Sequence, residues 1–185
     1  MPKMTSPEEL FMHELQDIYY AEQTLTKVLP KLAQESKDRE LSKAFTTHLD
    51  ETKGQIKNLE QVFRNLGEPV KGEKCPGIDG IKEEHETFMK ENSPTPKVLD
   101  IHLTGAAARA EHYEIAAYTG LIEMARALGE RDSVKLLQEN LKQEKEAAKK
   151  VESISKRMLK ASNGSKTTNG SSSRRSTRRS SRSAR

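Results

Sequence analysis

Apolar residues step by three and four along four long stretches of this 185-residue chain, the spacing of helices that each bury one face. The first stretch opens at Ser6, which reads as an N-cap, with Pro7 at the first helical position and Glu8 and Glu9 in the first turn. Its stripe is Phe11, Leu15, Ile18, Leu25, Leu29 and Leu32, and Glu22 fills the one gap in it. The second starts near Asp38, carries Leu41, Phe45, Leu59, Val62 and Leu66, and ends at Gly67 with Pro69 beyond. His48, Glu51, Thr52 and Gln55 occupy its central turns. Glu68 to Pro96 is a long connection containing one weakly amphipathic piece, Ile78 to Met89, which predicts a short helix. The third long helix runs from about Pro96 to Leu128, with Leu99, Leu103, Ala106, Ala110, Tyr113, Ala117 and Leu121 on one side and Ala107, Glu111, Glu114 and Tyr118 beside them. Gly129 closes it. The fourth shows Val134, Leu137, Leu141, Ala148, Val151 and Met158, and Glu144 stands where an apolar residue belongs.

Two helical hairpins joined by one long crossover predict an all-α, ferritin-like four-helix bundle over residues 1–161. In helices of about 30 residues, Glu22, Glu51, Glu111 with Glu114, and Glu144 all fall near the midpoints, so antiparallel packing brings them to one height at about 1.5 Å per residue. Moving one ionised carboxylate out of water costs several kcal/mol even after relaxation. A ring of them at one level therefore implies a metal ion or shared protons.

Carboxylates supplemented by imidazole suit Fe²⁺, Fe³⁺ and Mn²⁺, and two adjacent ions need bridging carboxylates from facing helices. The expected cofactor is a pair of iron ions, or manganese. The usual bundle pattern of Glu-x-x-His on two helices is not reproduced: His48 precedes Glu51 in reversed order, the third helix reads Glu111-His112-Tyr113-Glu114, and Ala147 follows Glu144 at three residues. The expected ligands are Glu22 and Glu144 as terminal carboxylates, Glu51 and one of Glu111 or Glu114 as bridges, and His48 as the nitrogen donor. Any one His/Glu pair at this spacing is ordinarily solvated surface; the alignment of all four helices is what points to a site. His112 lies one position off the acidic stripe and is read as supporting or exposed, Glu14 and Asp17 rank below Glu22, and His13, His85 and His102 are read as surface. The four tyrosines, Tyr19, Tyr20, Tyr113 and Tyr118, are read as core or rim aromatics.

Composition narrows the setting. Hydrophobic residues make up 33% of the chain and charged ones 32%, as in long solvent-bathed amphipathic helices, and no apolar run approaches the roughly 18 to 20 residues of a membrane span. Met1 to Glu9 lacks the apolar core of a signal sequence and Cys75 has no partner for a disulfide, so a reducing cytoplasm is the expected location. The net charge of +4 is unevenly spread: Ser162 to Arg185 holds seven cations and no acid, leaving the rest near −3. That tail, 162–185, is rich in Ser, Thr, Asn, Gly and Arg and is expected to be disordered. Arg174-Arg175 and Arg178-Arg179 suit salt-sensitive contact with DNA or another polyanion, without base stacking, since no aromatic residue interleaves them.

Several segments resemble the YciE/YciF family of ferritin-like stress proteins: Glu14 through Gln23, His48 to Thr52 with Gln55, Ala110 through Tyr118, Lys74-Cys75 ahead of Gly80, and Glu144-Lys145. The resemblance spans about Ser6 to Leu159, with the motifs in order and properly separated. It implies a ferritin-like fold, a homodimer, a candidate dinuclear site and an association with stress. The family commonly carries Met where this chain has Ile78, a change expected to leave the site untouched. Two functions follow from these readings: oxidation of Fe²⁺ or scavenging of peroxide at the acid cluster, or non-catalytic binding in which the basic tail tethers the bundle to a polyanion.

Overall fold

The computed structural model describes residues 3–167, which form five helices: α1 (Pro7–Glu35), α2 (Arg39–Asn65), α3 (Pro76–Glu91), α4 (Pro96–Ala127) and α5 (Arg131–Thr167). No strand occurs among the described residues. The expected four-helix bundle is present as α1, α2, α4 and α5, and the short crossover helix is α3, somewhat longer than Ile78 to Met89.

Local signals start and stop these helices where the pattern placed them. Ser6 Oγ accepts from the Glu9 amide at 3.2 Å while the Glu9 carboxylate accepts from the Ser6 amide at 3.1 Å, a reciprocal cap that satisfies two amides at the start of α1. Asp38 does the same for α2 by accepting from the amides of Glu40 and Leu41. Helices α2 and α4 each end on a glycine in the left-handed region, Gly67 at φ 71° and Gly129 at φ 79°. Glu68 and Glu130 then reach back to the carbonyls of Phe63 and Ala125, closing the helix ends without a Cβ penalty.

The four long helices form a square in which α1 packs on α2 and α4, and α5 on α2 and α4. Every packed neighbour is antiparallel. Ser36 Oγ and the Lys37 amide, at the end of α1, both donate to Asp100 at the start of α4; Arg157, late in α5, holds both oxygens of Asp38 at the start of α2 at 2.8 Å. The crossover must therefore travel the length of the bundle, and α3 lies along it against α4 and α1. Phe11, Leu15, Ile18, Leu41, Leu59, Phe63, Leu103, Leu121, Leu137 and Ile154 are almost wholly buried and make the core. No helix among the described residues is long and apolar enough to cross a membrane.

Past the boundary expected at Ser162, α5 continues to Thr167. Once a helix is nucleated, each added residue gains a hydrogen bond for one residue ordered, so a polar sequence can extend a turn beyond the last buried contact. Residues 168–185, with the paired arginines, lie outside the described residues.

The start of α3 is pinned by a tight set of contacts. Tyr113 Oη donates to Asp17 Oδ2 at 2.6 Å and lies 2.9 Å from the buried Sγ of Cys75. Gly77 passes beneath the Tyr113 ring so closely that an added Cβ would sit 2.4 Å from Cε2. Gly77→Ala should consequently lower stability by about 1–3 kcal/mol, whereas Gly54→Ala, in the open middle of α2 with nothing near its Cβ position, should raise it by about 0.5–1 kcal/mol. Thermal denaturation of the two variants checks this, and equal or reversed effects would contradict the packing described.

Candidate metal centre

Helical periodicity delivers the polar residues to the bundle axis. On α2, His48, Thr52 and Gln55 occupy one inward line and are all buried; on α4 it is Ala107, Glu111, Glu114 and Tyr118; on α5, Leu137, Asn140 and Glu144; on α1, Glu22 between Ile18 and Leu25. Glu22, Glu114 and Glu144 have no exposed surface and Glu111 has 3%.

His48, Glu111, Glu114 and Glu144 converge: one donor atom from each lies within 4.8 Å of every other. At metal–ligand bonds of about 2.0–2.2 Å, donors on opposite sides of one ion stand about 4 Å apart, so this spacing fits. His48 is oriented by Glu51, whose Oε2 lies 3.4 Å from Nδ1, leaving Nε2 turned inward at 3.5 Å from Glu111 Oε1 and 3.8 Å from Glu144 Oε2.

Five carboxylate oxygens here, Glu22 Oε2, Glu111 Oε2, both of Glu114 and Glu144 Oε2, are buried without a hydrogen-bond partner among the described residues. No lysine or arginine among those residues comes within 4.0 Å of them; His48 alone supplies positive charge. Unpaired buried acceptors of this kind are rare in folded proteins and each one is costly. Hard or borderline cations are the partners their chemistry fits.

Surrounding amides and hydroxyls hold the acids in place. Gln55 Nε2 donates to Glu144 Oε1, and Tyr118 Oη donates to Glu22 Oε1. Asn140 donates to Tyr118 Oη at 3.1 Å and to the Gln55 carbonyl at 3.3 Å, and itself accepts from Asn58 at 2.8 Å. The chain Asn58, Asn140, Tyr118, Glu22 thereby links all four long helices.

Burial and mutual repulsion raise the acids' pKa values. Glu22 is pushed up to about 8 by burial and by the nearby Glu144 charge, against the pull of Tyr118 and His48. Burial lifts Glu111 well above the usual range despite His48, and lifts Glu114 likewise with the charges of Glu144 and Glu22 adding to it. Burial by itself would depress His48, but Glu111, Glu51, Glu144 and Glu22 outweigh it and bring the imidazole to about 10. Protons thus compete with any cation for this cluster.

Of the six expected ligands, four meet as one set. Glu22 is buried beside them on α1 and reaches them through charge. Glu51 is on the rim, 38% exposed, and touches only His48 among the group. His112 is exposed, as read, and Asp17 serves Tyr113. Reading His85 as surface is corrected: it is buried, 3.0 Å from Glu35 and 3.2 Å from His102, whose ring stacks on Phe88 at 3.7 Å. His102 is half-buried in the same contact. Ile78 also proves to be close to the chemistry, for it lines an apolar cavity that has His48, Glu111 and Glu114 on its wall. Asn140 escaped the sequence reading, although its register four before Glu144 on the buried stripe was a usable signal.

Residues 6–163 match the protein family described as "Domain of unknown function (DUF892)". Protein YciF of Escherichia coli (strain K12) is 41% identical over 143 residues, covering 77% of this chain and 86% of YciF. Among solved structures, YcfI from Rhodopseudomonas palustris superposes with a TM-score of 0.79 at 43% identity, over 81% of this chain and 95% of that one. The E. coli stress protein YciF gives 0.81 at 38% identity, over 85% and 99%. A protein from Xanthomonas campestris pv. campestris, 20% identical with a TM-score of 0.67 over 88% and 99%, shares the fold. Matched over most of its length by sequence and by structure, this chain belongs to the DUF892 family.

Proposed function

We propose that this protein is a ferritin-like stress-response protein of the cytoplasm whose buried acids hold two ions of iron, or of manganese, and that the centre oxidises Fe²⁺ or consumes peroxide. The five partnerless carboxylate oxygens beside His48 carry this reading. His48, Glu111, Glu114 and Glu144 would hold one ion, and Glu22 would join Glu114 and Glu144 in holding a second. A redox-active ion bound there would supply electrons to O₂ or peroxide. The chain's own residues keep the acids aimed inward: Tyr118 through Glu22, Gln55 through Glu144, and Glu51 through His48. Glu51 also borders an open cleft of about 430 Å³ shared with His48 and Glu111, a solvent-facing route along which a hydrated cation reaches the cluster.

Metal analysis of protein purified after iron-replete expression should find about two ions per chain, and Glu114→Ala combined with Glu144→Ala should reduce this below about one while the helical signal persists. A fully folded, metal-free wild type would overturn the proposal.

Protonation gives a second test. Glu22 and His48 both have pKa values raised by folding, so each binds its proton more tightly folded than unfolded. Their contribution to stability is complete below the unfolded values, near 4.5 for Glu and 6.5 for His, and is lost as pH rises through about 8 and about 10. Metal-free protein should therefore melt at a lower temperature at pH 8 than at pH about 5.5, and bound metal should shrink that difference. Melting temperatures that are flat or rise over this interval would contradict it.

The tail supports a second role alongside the first, on the strength of its seven cations without an acid. In a homodimer, two such arms would act together on one polyanion. Deleting residues 162–185 should abolish salt-dependent retention on duplex DNA and leave the helical signal intact; unchanged retention would refute tail contact.

A further inference from the structure

Between α1, α3 and α4 lies a cavity of about 320 Å³ that runs from solvent to the acid cluster. Its walls are hydrocarbon: Leu25, Val28, Leu29, Phe45, Ile78 and Ile81 among others. Its ends differ in chemistry. The mouth carries Lys31, Lys82, Glu35 and Glu86, exposed or half-exposed groups whose charges balance, whereas the inner end is closed by His48, Glu111 and Glu114, each nearly or wholly buried. Well-packed cores do not leave voids of this size, and a cavity of this volume is at the small end of the range that holds organic ligands.

The inner end selects what can sit there. Both Glu114 oxygens and Glu111 Oε2 lack donors among the described residues, so a ligand O–H placed there satisfies an unpaired acceptor, whereas a ligand carboxylate brings no donor and must itself be buried as a further charge. A carboxylate offers about four acceptor positions, so a glutamate bound to an ion through one lone pair still has capacity for such a donor. A charged head at the mouth gains nothing, since two lysines face two glutamates there. We infer that this cavity binds a linear aliphatic molecule of about eight to ten carbons whose inner end is a neutral hydroxyl. The inference goes beyond the metal reading and stands without it, because the hydrocarbon walls and the unpaired acceptors belong to the metal-free chain.

Titration calorimetry with 1-decanol tests it on the full chain, both as isolated and after chelation. One molecule per chain should bind in both states; after chelation decanoate should bind at least about tenfold more weakly, and shortening to 1-octanol and then 1-hexanol should weaken binding roughly tenfold per two carbons. Ala107→Phe, at a buried position on the cavity wall, should remove binding while leaving the helical signal unchanged. Ile81→Trp, at a half-buried position nearer the mouth, should do the same and serves where the first variant does not fold. Absence of saturable binding, equal affinity for decanoate after chelation, or undiminished binding in folded variants would overturn the inference. None of these outcomes bears on the metal content, so the two readings fail separately.

Discussion

Acidic side chains gathered at the buried centre of the bundle are the constraint around which it is organised. Glu22, Glu111, Glu114 and Glu144 share one buried volume with a single histidine, and a low-dielectric interior magnifies every repulsion among them. A fold that carried such a cluster for stability alone would do better with leucines in their places, since replacing buried charges by apolar groups is often neutral or stabilising. The apolar stripes above and below this level, from Phe11 and Leu137 at one end to Leu103 and Ile154 at the other, contribute the burial that offsets it.

The supporting groups show how such a cluster is held rather than allowed to collapse or swing out. Gln55, Tyr118, Asn140 and Asn58 form a hydrogen-bonded polar layer next to the acids, and through Glu22 it ties all four long helices at the same height. Bonded polar layers of this kind rigidify a core and fix register. The acids thus lean on that scaffold with one oxygen of Glu22 and one of Glu144, while five of the cluster's carboxylate oxygens are left without partners among the described residues. On the other side the scaffold is hydrocarbon, where α3 and the crossover roof the cavity and Tyr113, clamped between Gly77, Cys75 and Asp17, anchors that roof to α1 and α4.

Much of this was legible in the sequence because helices turn at 3.6 residues. Glu22 and Glu144 announced themselves by interrupting apolar stripes, and both are fully buried. Glu51 was harder to place. The inward line on α2 passes through His48, Thr52 and Gln55, and Glu51, about 100° away from Thr52, is turned to the rim while still close enough to steer the histidine. Asn140 was hidden for a different reason: in a helix as charged as α5, one more amide reads as surface unless it is placed on the line from Leu137 to Glu144. His85 and His102 could not be assigned from the chain at all, since the contacts of His85 with Glu35 and with His102 are created by the way the crossover folds back across α1 and α4, and no local pattern encodes that.

The donors are divided unequally between the two hairpins, with His48 from the first and Glu111, Glu114 and Glu144 from the second. Neither half owns a complete coordination set. An ion held as proposed would therefore require both halves to have found each other: a nascent chain with only its first hairpin in place would lack the donors to sequester it, and a misdocked one would lack the donors to retain it.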